Sequence, residues 1–330
     1  MTRAFDAPTR TASGGRPLTA GVAMLATAVA VTGLLVGGLL TAVGLTGHVF
    51  GPWPSPESLN PGLVGAAMLG TSPGLFAVGR AKHWEEARTL LHPLAVVLLG
   101  LFTVTLLNAR HLYVAEGGPV LSVLFSLGWI FVLGLLCVWA VIALSLQHLV
   151  RAEPFTASTE PEPASACVPA SAGPKPTPAA IPEPSSIPEP ASIPEPSSAP
   201  LPGWSKPPLA VLGSSWLGIG TGLLIRPDFW ADFVPWHTGR LDAQALGVWA
   251  LALGVGVLGA LAEDDLTRTR PALLALPGTA AAMTVVLACR AAHVEWSSGP
   301  ALSLIAMVAG LLCAGAGGRV LLTRFPAPHN

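Results

Sequence analysis

Acidic and basic side chains are missing from eight long stretches of this chain: residues 17–56, 58–79, 89–109, 117–150, 207–225, 243–262, 271–289 and 296–318. Each is 19 residues or longer and is built mainly of Leu, Val, Ala and Gly. A helix rises about 1.5 Å per residue, so about 20 apolar residues cross a hydrocarbon layer about 30 Å thick. The pattern predicts eight transmembrane helices. Apolar residues run on without the alternation of a membrane barrel, and only helices or closed barrels satisfy every backbone group in lipid. The fold class expected is therefore an all-α polytopic membrane protein.

Composition agrees with this. The chain is 52% hydrophobic and 11% charged, where soluble proteins carry about 25% charged residues. Its net charge of −1 gives no electrostatic reason to expect a nucleic-acid partner; the lipid bilayer is the partner that composition demands. Arginine dominates over lysine, and Ala, Gly and Pro are abundant, a bias associated with GC-rich bacterial genomes. Arg3, Arg10 and Arg16 precede the first stretch like the basic start of a signal peptide. The apolar run that follows is too long for a signal-peptide core of about 7–15 residues, so a retained first helix is expected.

Basic residues also set the orientation. Arg3, Arg10, Arg16, Arg80, Lys82, Arg88, Arg151, Lys206, Arg268, Arg270, Arg319 and Arg324 fall on one side of the predicted spans. Only Arg110, Arg226, Arg240 and Arg290 fall on the other. This asymmetry places both termini and the segment between spans four and five in the cytoplasm, in a multi-pass protein of the cell (cytoplasmic) membrane.

Landmarks recur across the two halves. GPW at 51–53 is answered by VPW at 234–236, each just before an apolar span. KHWEEARTLLHP (82–93) is answered by AEDDLTRTRP (262–271), with Glu85 and Pro93 matched to Glu263 and Pro271. RHLYVAEGGP (110–119) is answered by RAAHVEWSSGP (290–300). We read a duplicated four-helix unit. Four crossings return the chain to its starting side, so the two units should be parallel repeats. The organisation expected is a tail (1–17), a first repeat (18–150), a linker (151–206), a second repeat (207–322) and a tail (323–330).

The linker contains the hexapeptide IPEPSS, IPEPAS, IPEPSS over 181–198, and 17 of the 33 prolines lie between 154 and 208. Proline fixes φ and removes a donor, so the segment is expected to be disordered and to sample extended polyproline II. Glu153, Glu160, Glu162, Glu183, Glu189 and Glu195 make it acidic, and anionic lipid should hold it off the membrane. We expect a spacer; its P-x-x-P-like segments also make it the candidate contact for a protein partner.

Most motifs have a packing explanation. GVGVLG at 254–259 matches a dinucleotide fingerprint, yet it lies inside a charge-free span and lacks the strand and turn that fingerprint needs. Close helix packing is expected there, and likewise at Gly33 with Gly37 and Gly218 with Gly222. Trp53, Trp84, Trp129, Trp204, Trp230, Trp236 and Trp296 lie near span ends, as an interfacial aromatic belt would. Cys137, Cys167, Cys289 and Cys313 show neither disulfide nor metal-ligand spacing. His83 and His92 flank Glu85 and Glu86 without an H-E-x-x-H pattern. No cofactor, metal site or catalytic residue is expected.

The best functional candidate is a charged cluster beyond spans three and seven: Arg110, His111 and Glu116 with Arg290, His293 and Glu295. Parallel repeats could bring Arg110, Glu116, Arg290 and Glu295 together at one outer mouth, where paired charges and a titrating histidine offer a site. No span carries a charge at mid-depth, which argues against an ion relay. Asn108, Gln147 and Gln244 near span ends, with Thr103, Thr105, Ser122 and Ser126 further in, leave passage of a neutral solute open. Two function classes follow: a non-enzymatic membrane scaffold or accessory protein, and a small-solute permease with a pathway between the repeats.

Pro235, Trp236, Gly247, Trp249, Leu251, Gly254, Glu263, Asp265 and Arg268 follow the order P-W…G-x-W/L-x-L-x-x-G…E-x-D-x-x-R. Pro52, Trp53, Gly65, Met68, Gly70, Glu85 and Arg88 follow it more loosely, without the aromatic between the glycines. The pattern resembles uncharacterised bacterial multi-pass integral membrane proteins with a duplicated four-helix, Pro-Trp-containing repeat. The resemblance covers most of both halves, not the linker. It implies a duplicated membrane fold and brings no activity with it.

Overall fold

The computed structural model of the protein describes residues 16–149 and 200–324. Among them are eight helices long and apolar enough to cross a membrane. They are α1 (Ala20–Thr46), α2 (Leu59–Gly79), α3 (Trp84–Leu107), α4 (Val120–Leu149), α5 (Lys206–Ile225), α6 (Arg240–Glu263), α7 (Arg270–Cys289) and α8 (Gly299–Arg324). The described residues contain no strand, only an isolated bridge between Pro17 and His83. The all-α class read from the charge gaps holds. Most of the linker, residues 151–199, lies outside the described residues.

Local chemistry sets the helix ends. Pro207 and Pro208 open α5 and Pro271 opens α7, where a missing N–H costs nothing. Glu85 and Glu86 sit in the first turn of α3, favourable beside the positive end of its dipole. α1 includes a π-helical turn at Gly33–Gly37 and stops at Gly47, whose φ of 86° is left-handed. A side chain at Gly47 would be strained and would also meet the guanidinium of Arg290. Pro73, Pro93 and Pro277 lie inside helices, where neighbouring elements must compensate the freed carbonyls.

Successive helices run antiparallel. The loops after α1, α3, α5 and α7 gather at one end, here the odd-loop face; the connections before α1, α3, α5 and α7 gather at the other, the even-loop face. Within each half α1 packs on α2 and α5 on α6, while α3 packs on α4 and α7 on α8. Between halves, α2 packs on α7 and α3 on α6. Exchanging the halves (α1 for α5, α2 for α6, α3 for α7, α4 for α8) maps this set of pairs onto itself.

Glycines set how close these pairs come. A Cβ on Gly37 would lie 2.8 Å from the Gly65 carbonyl oxygen, and one on Gly65 would lie 2.7 Å from that of Gly37. In the second half the same contact joins Gly220 and Gly247, at 2.8 and 3.1 Å. The expected pair Gly218 and Gly222 is thus corrected: Gly218 meets nothing within 4 Å and Gly222 lies against Trp230. Four-residue spacing was satisfied by the wrong helix face. Within GVGVLG, Gly254 packs on Gly213 and Leu217, Gly256 packs on Pro93, and Gly259 is free; the motif is a packing surface.

The register between halves also differs from the sequence landmarks. α3 and α7 end at Asn108 and Arg290, with φ, ψ of −109°, 24° and −108°, 23°. A short 3-10 turn follows each, Ala109–His111 and Ala291–His293. His111 therefore matches His293, Asn108 matches Arg290, and Arg110 matches Ala292. The pairing of Arg110 with Arg290 is two positions out. Glu85 and Glu263 are not counterparts either, because Glu85 opens a helix and Glu263 closes one.

Candidate functional site

The most connected polar group lies on the odd-loop face. α2 opens at Leu59 and α6 at Arg240, which puts Asn60 and Asp242 in the first turn of each. Trp53 Nε1 donates to Asp242 Oδ1 at 2.8 Å, and Trp236 Nε1 donates to Asn60 Oδ1 at 2.6 Å. Each half's Pro-Trp landmark thus reaches the polar residue on the other half's helix. Ser55 Oγ and Asn60 Nδ2 donate to Asp242 Oδ2 at 2.7 and 3.2 Å. Asn60 Nδ2 also donates to the His237 carbonyl at 3.3 Å, and Thr238 Oγ1 donates to Asn60 Oδ1 at 3.3 Å.

This clasp is buried: Asn60 is 0% exposed, Asp242 2%, Trp53 5% and Trp236 8%. A buried carboxylate is costly unless its oxygens are hydrogen-bonded, and here three side-chain donors converge on it. The ion pairs among the described residues do not include Asp242, so neutral donors alone hold it. Two residues further along α6, Gln244 Oε1 accepts from Nδ2 of Asn108, the residue that caps α3, at 2.8 Å, a second bond between the halves.

The tryptophans therefore depart from the expected belt. Trp53, Trp84, Trp129 and Trp236 are buried, and Trp129 Nε1 donates to Thr105 Oγ1 at 3.3 Å. The indole N–H groups of Trp53, Trp129 and Trp236 bond side chains of other helices rather than facing the lipid headgroup zone. Trp204 is exposed, as are Phe229 and Phe233 beside Trp230 in the loop between α5 and α6.

Four of the six residues of the predicted charged cluster make side-chain bonds, in two separate groups. His111 Nδ1 lies 3.0 Å from Glu116 Oε1, both exposed. Arg290 Nη2 lies 2.8 Å from His293 Nε2, and His293 Nδ1 lies 3.3 Å from Glu57 Oε2 of the first half. The Tyr113 N–H donates to the Pro52 carbonyl at 3.3 Å and the Glu295 N–H to the Pro235 carbonyl at 2.9 Å. Each loop is fastened to its own half's Pro-Trp segment. Among the described residues no hydrogen bond or ion pair joins 110–116 to 290–295, so the expected meeting of Arg110 and Glu116 with Arg290 and Glu295 is not made by such a bond. The partner of the second group is Glu57, which sequence reasoning passed over as the charge separating two spans.

The even-loop face is tied by charge. Arg88 pairs with Glu263 across the halves, Arg268 with Asp265 at 3.3 Å, and Lys206 with Asp264 at 2.6 Å. The Lys206 hydrogen bond holds the Asp264 carboxyl below the ordinary aspartate range. The Arg16 backbone N–H donates to Glu85 Oε1, and Gln147 Nε2 donates to the Pro17 carbonyl while its Oε1 accepts from the Thr19 N–H. Of the acidic pair between His83 and His92, Glu85 is engaged in this way.

Apolar pockets, partly open to the outside, lie between the helices, and two of them are large. The first, about 390 Å³, is walled by α1, α2, α3, α4, α6 and α7, with Met68, Leu94, Trp129 and Trp249 among its lining. The second, about 450 Å³, is walled by α2, α5, α6, α7, α8 and the 230–236 loop, with Trp216, Trp236 and Met307. No Asp, Glu, Lys or Arg lines either. No protein-family model, curated protein or solved structure matches the chain.

Proposed function

We propose that the protein is a non-enzymatic membrane scaffold or accessory protein, built from two parallel four-helix repeats and held in the cell membrane with its odd-loop face outward. The observation that carries this reading is the use to which its polar side chains are put. Asn108 and Gln244 bond each other, Gln147 ties α4 to the start of α1, and Thr105 accepts from Trp129. These are four of the seven polar residues that could line a path for a neutral solute, and each of the four is engaged in fastening helices. Where α2 meets α7, Gly70 and Gly278 bring backbone against backbone. A seam of that kind suits a rigid body better than a pathway between halves that rock. The linker is then the segment offered to a protein partner on the even-loop side.

A flux measurement separates this from a small-solute permease. Proteoliposomes facing a gradient of glycerol or urea should shrink and recover at the rate of protein-free vesicles. A protein-dependent rate that saturates with solute would overturn the scaffold reading.

A further inference from the structure

The second pocket has its mouth at one depth and its closed end at another. Of the residues that wall it, Phe233, Gly299 and Ser303 are exposed. They belong to the loop between α5 and α6 and to the first two turns of α8, so the mouth lies at the edge of the hydrocarbon layer on the odd-loop side. From there the wall runs down α8 to Met307 and down α5 from Leu223 to Trp216. Beyond Met307 the two helices close on each other: a Cβ on Gly310 would stand 2.8 Å from Leu212 Cδ1. Gly299 to Met307 spans about 12 Å of helix, most of the roughly 15 Å that the chains of one leaflet occupy.

The matching place in the first half is filled by the protein itself. Phe50 and Phe125 lie with ring centroids 4.7 Å apart, and Trp129 packs on Phe125 and Trp53. α8 carries no aromatic residue to do the same. Protein interiors leave few voids larger than a water molecule, because an unfilled wall forfeits its dispersion contacts. A space of about 450 Å³ that opens onto a bilayer takes up what surrounds it, and below the headgroups that is hydrocarbon. The mouth at the edge and the closed end near mid-depth fit a chain whose polar end stays outside. We propose that this pocket binds one acyl chain of a phospholipid from the leaflet on the odd-loop side. Both halves build the site, because Leu63 and Ala67 of α2 complete its wall.

The site rests on the membrane fold and not on the scaffold reading, and α6 supplies a readout that involves no flux. From Leu241 to Leu261 none of its residues is exposed, so a lipid chain touches it only by entering the bundle. Leu246 and Ala250 wall this pocket and not the first. Full-length protein is reconstituted in phosphatidylcholine vesicles containing a phosphatidylcholine with a diazirine midway along one chain. After irradiation the adducts are located by mass spectrometry. We expect them on Leu246 or Ala250 as well as on Leu302 and Ile305, which are exposed on α8. Ser303→Phe and Gly299→Leu put bulk at the mouth; an added Cβ at Gly299 meets nothing within 4 Å. Each should abolish the α6 adducts and leave those on Leu302 and Ile305 in place. Gly317→Leu, in equally open space near the other end of α8, should keep the wild-type pattern. Adducts confined to exposed residues would overturn the proposal, and so would adducts on Leu246 and Ala250 that survive both mouth variants.

Discussion

Replacing Asp242 with leucine will cost the folded protein about 2–4 kcal/mol. The carboxylate is the acceptor on which Trp53, Ser55 and Asn60 converge. Removing it leaves the Trp53 indole N–H without a partner in a buried site, at about 1–3 kcal/mol, while Ser55 and Asn60 keep their bonds to the Glu57 and His237 carbonyls. Because two of the three come from the loop before α2 and the third from α2 itself, the loss should fall on the joint between halves. Asp242→Asn keeps one acceptor oxygen and turns an NH₂ towards the donors, so it should fall between leucine and the wild type. Denaturant unfolding followed by tryptophan fluorescence reads both. A change below about 1 kcal/mol for Asp242→Leu would mean that the clasp contributes little.

The second large effect is steric. A Cβ added at Gly70 on α2 would run into the backbone of Gly278 and Thr279 on α7, standing 2.6 Å from the Gly278 carbonyl carbon. Backbone atoms cannot rotate aside as a side-chain end can, and overpacking ordinarily costs about 1–3 kcal/mol even where neighbours yield. Gly70→Val should therefore cost at least about 3 kcal/mol and sharply lower the yield of monodisperse protein on gel filtration. Gly259→Val is the control, since a Cβ there meets nothing within 4 Å. Equal yields from the two variants would contradict the close seam between α2 and α7.

These two sites show what the sequence displays and what it hides. The eight helices are legible because lipid imposes a one-dimensional rule: about 20 apolar residues without charge make a span, whatever surrounds them. The Pro-Trp landmarks at 52–53 and 235–236 are legible as repeats for the same reason, being local. The clasp they build is not. Trp53 and Asp242 are 189 positions apart, and Asp242 at the edge of a charge-free stretch looks like any residue that ends a span. Asn60 falls within such a stretch and drew no notice, because an uncharged amide leaves no gap. Its role follows only once Trp236 is seen to donate to it.

Glycine spacing misled in a different way. Gly218 and Gly222 meet the four-residue rule, but helix rotation is set by the partner helix, and it turns Gly220 towards Gly247 instead. The charged residues were matched out of register. Matching Arg110 to Arg290 by residue type ignores the helix ends, which align Asn108 with Arg290 and leave Arg290 beside His293 and Glu57. Chemical likeness between the two halves is a weaker guide than the backbone turn that follows each helix.

The account rests on two halves that cross the membrane four times each in the same sense. Impermeant thiol labelling of single cysteines tests this most directly, in a background where Cys137, Cys167, Cys289 and Cys313 are replaced by alanine. Glu116→Cys and Asp232→Cys report the odd-loop face in the first and second halves; Arg80→Cys and Arg268→Cys report the even-loop face, all at exposed positions. The arginine and lysine asymmetry predicts that positions 116 and 232 label from outside intact cells, and that 80 and 268 label only after lysis. Labelling of 116 and 232 from opposite sides of the membrane would contradict the parallel halves, and with them the account of the fold.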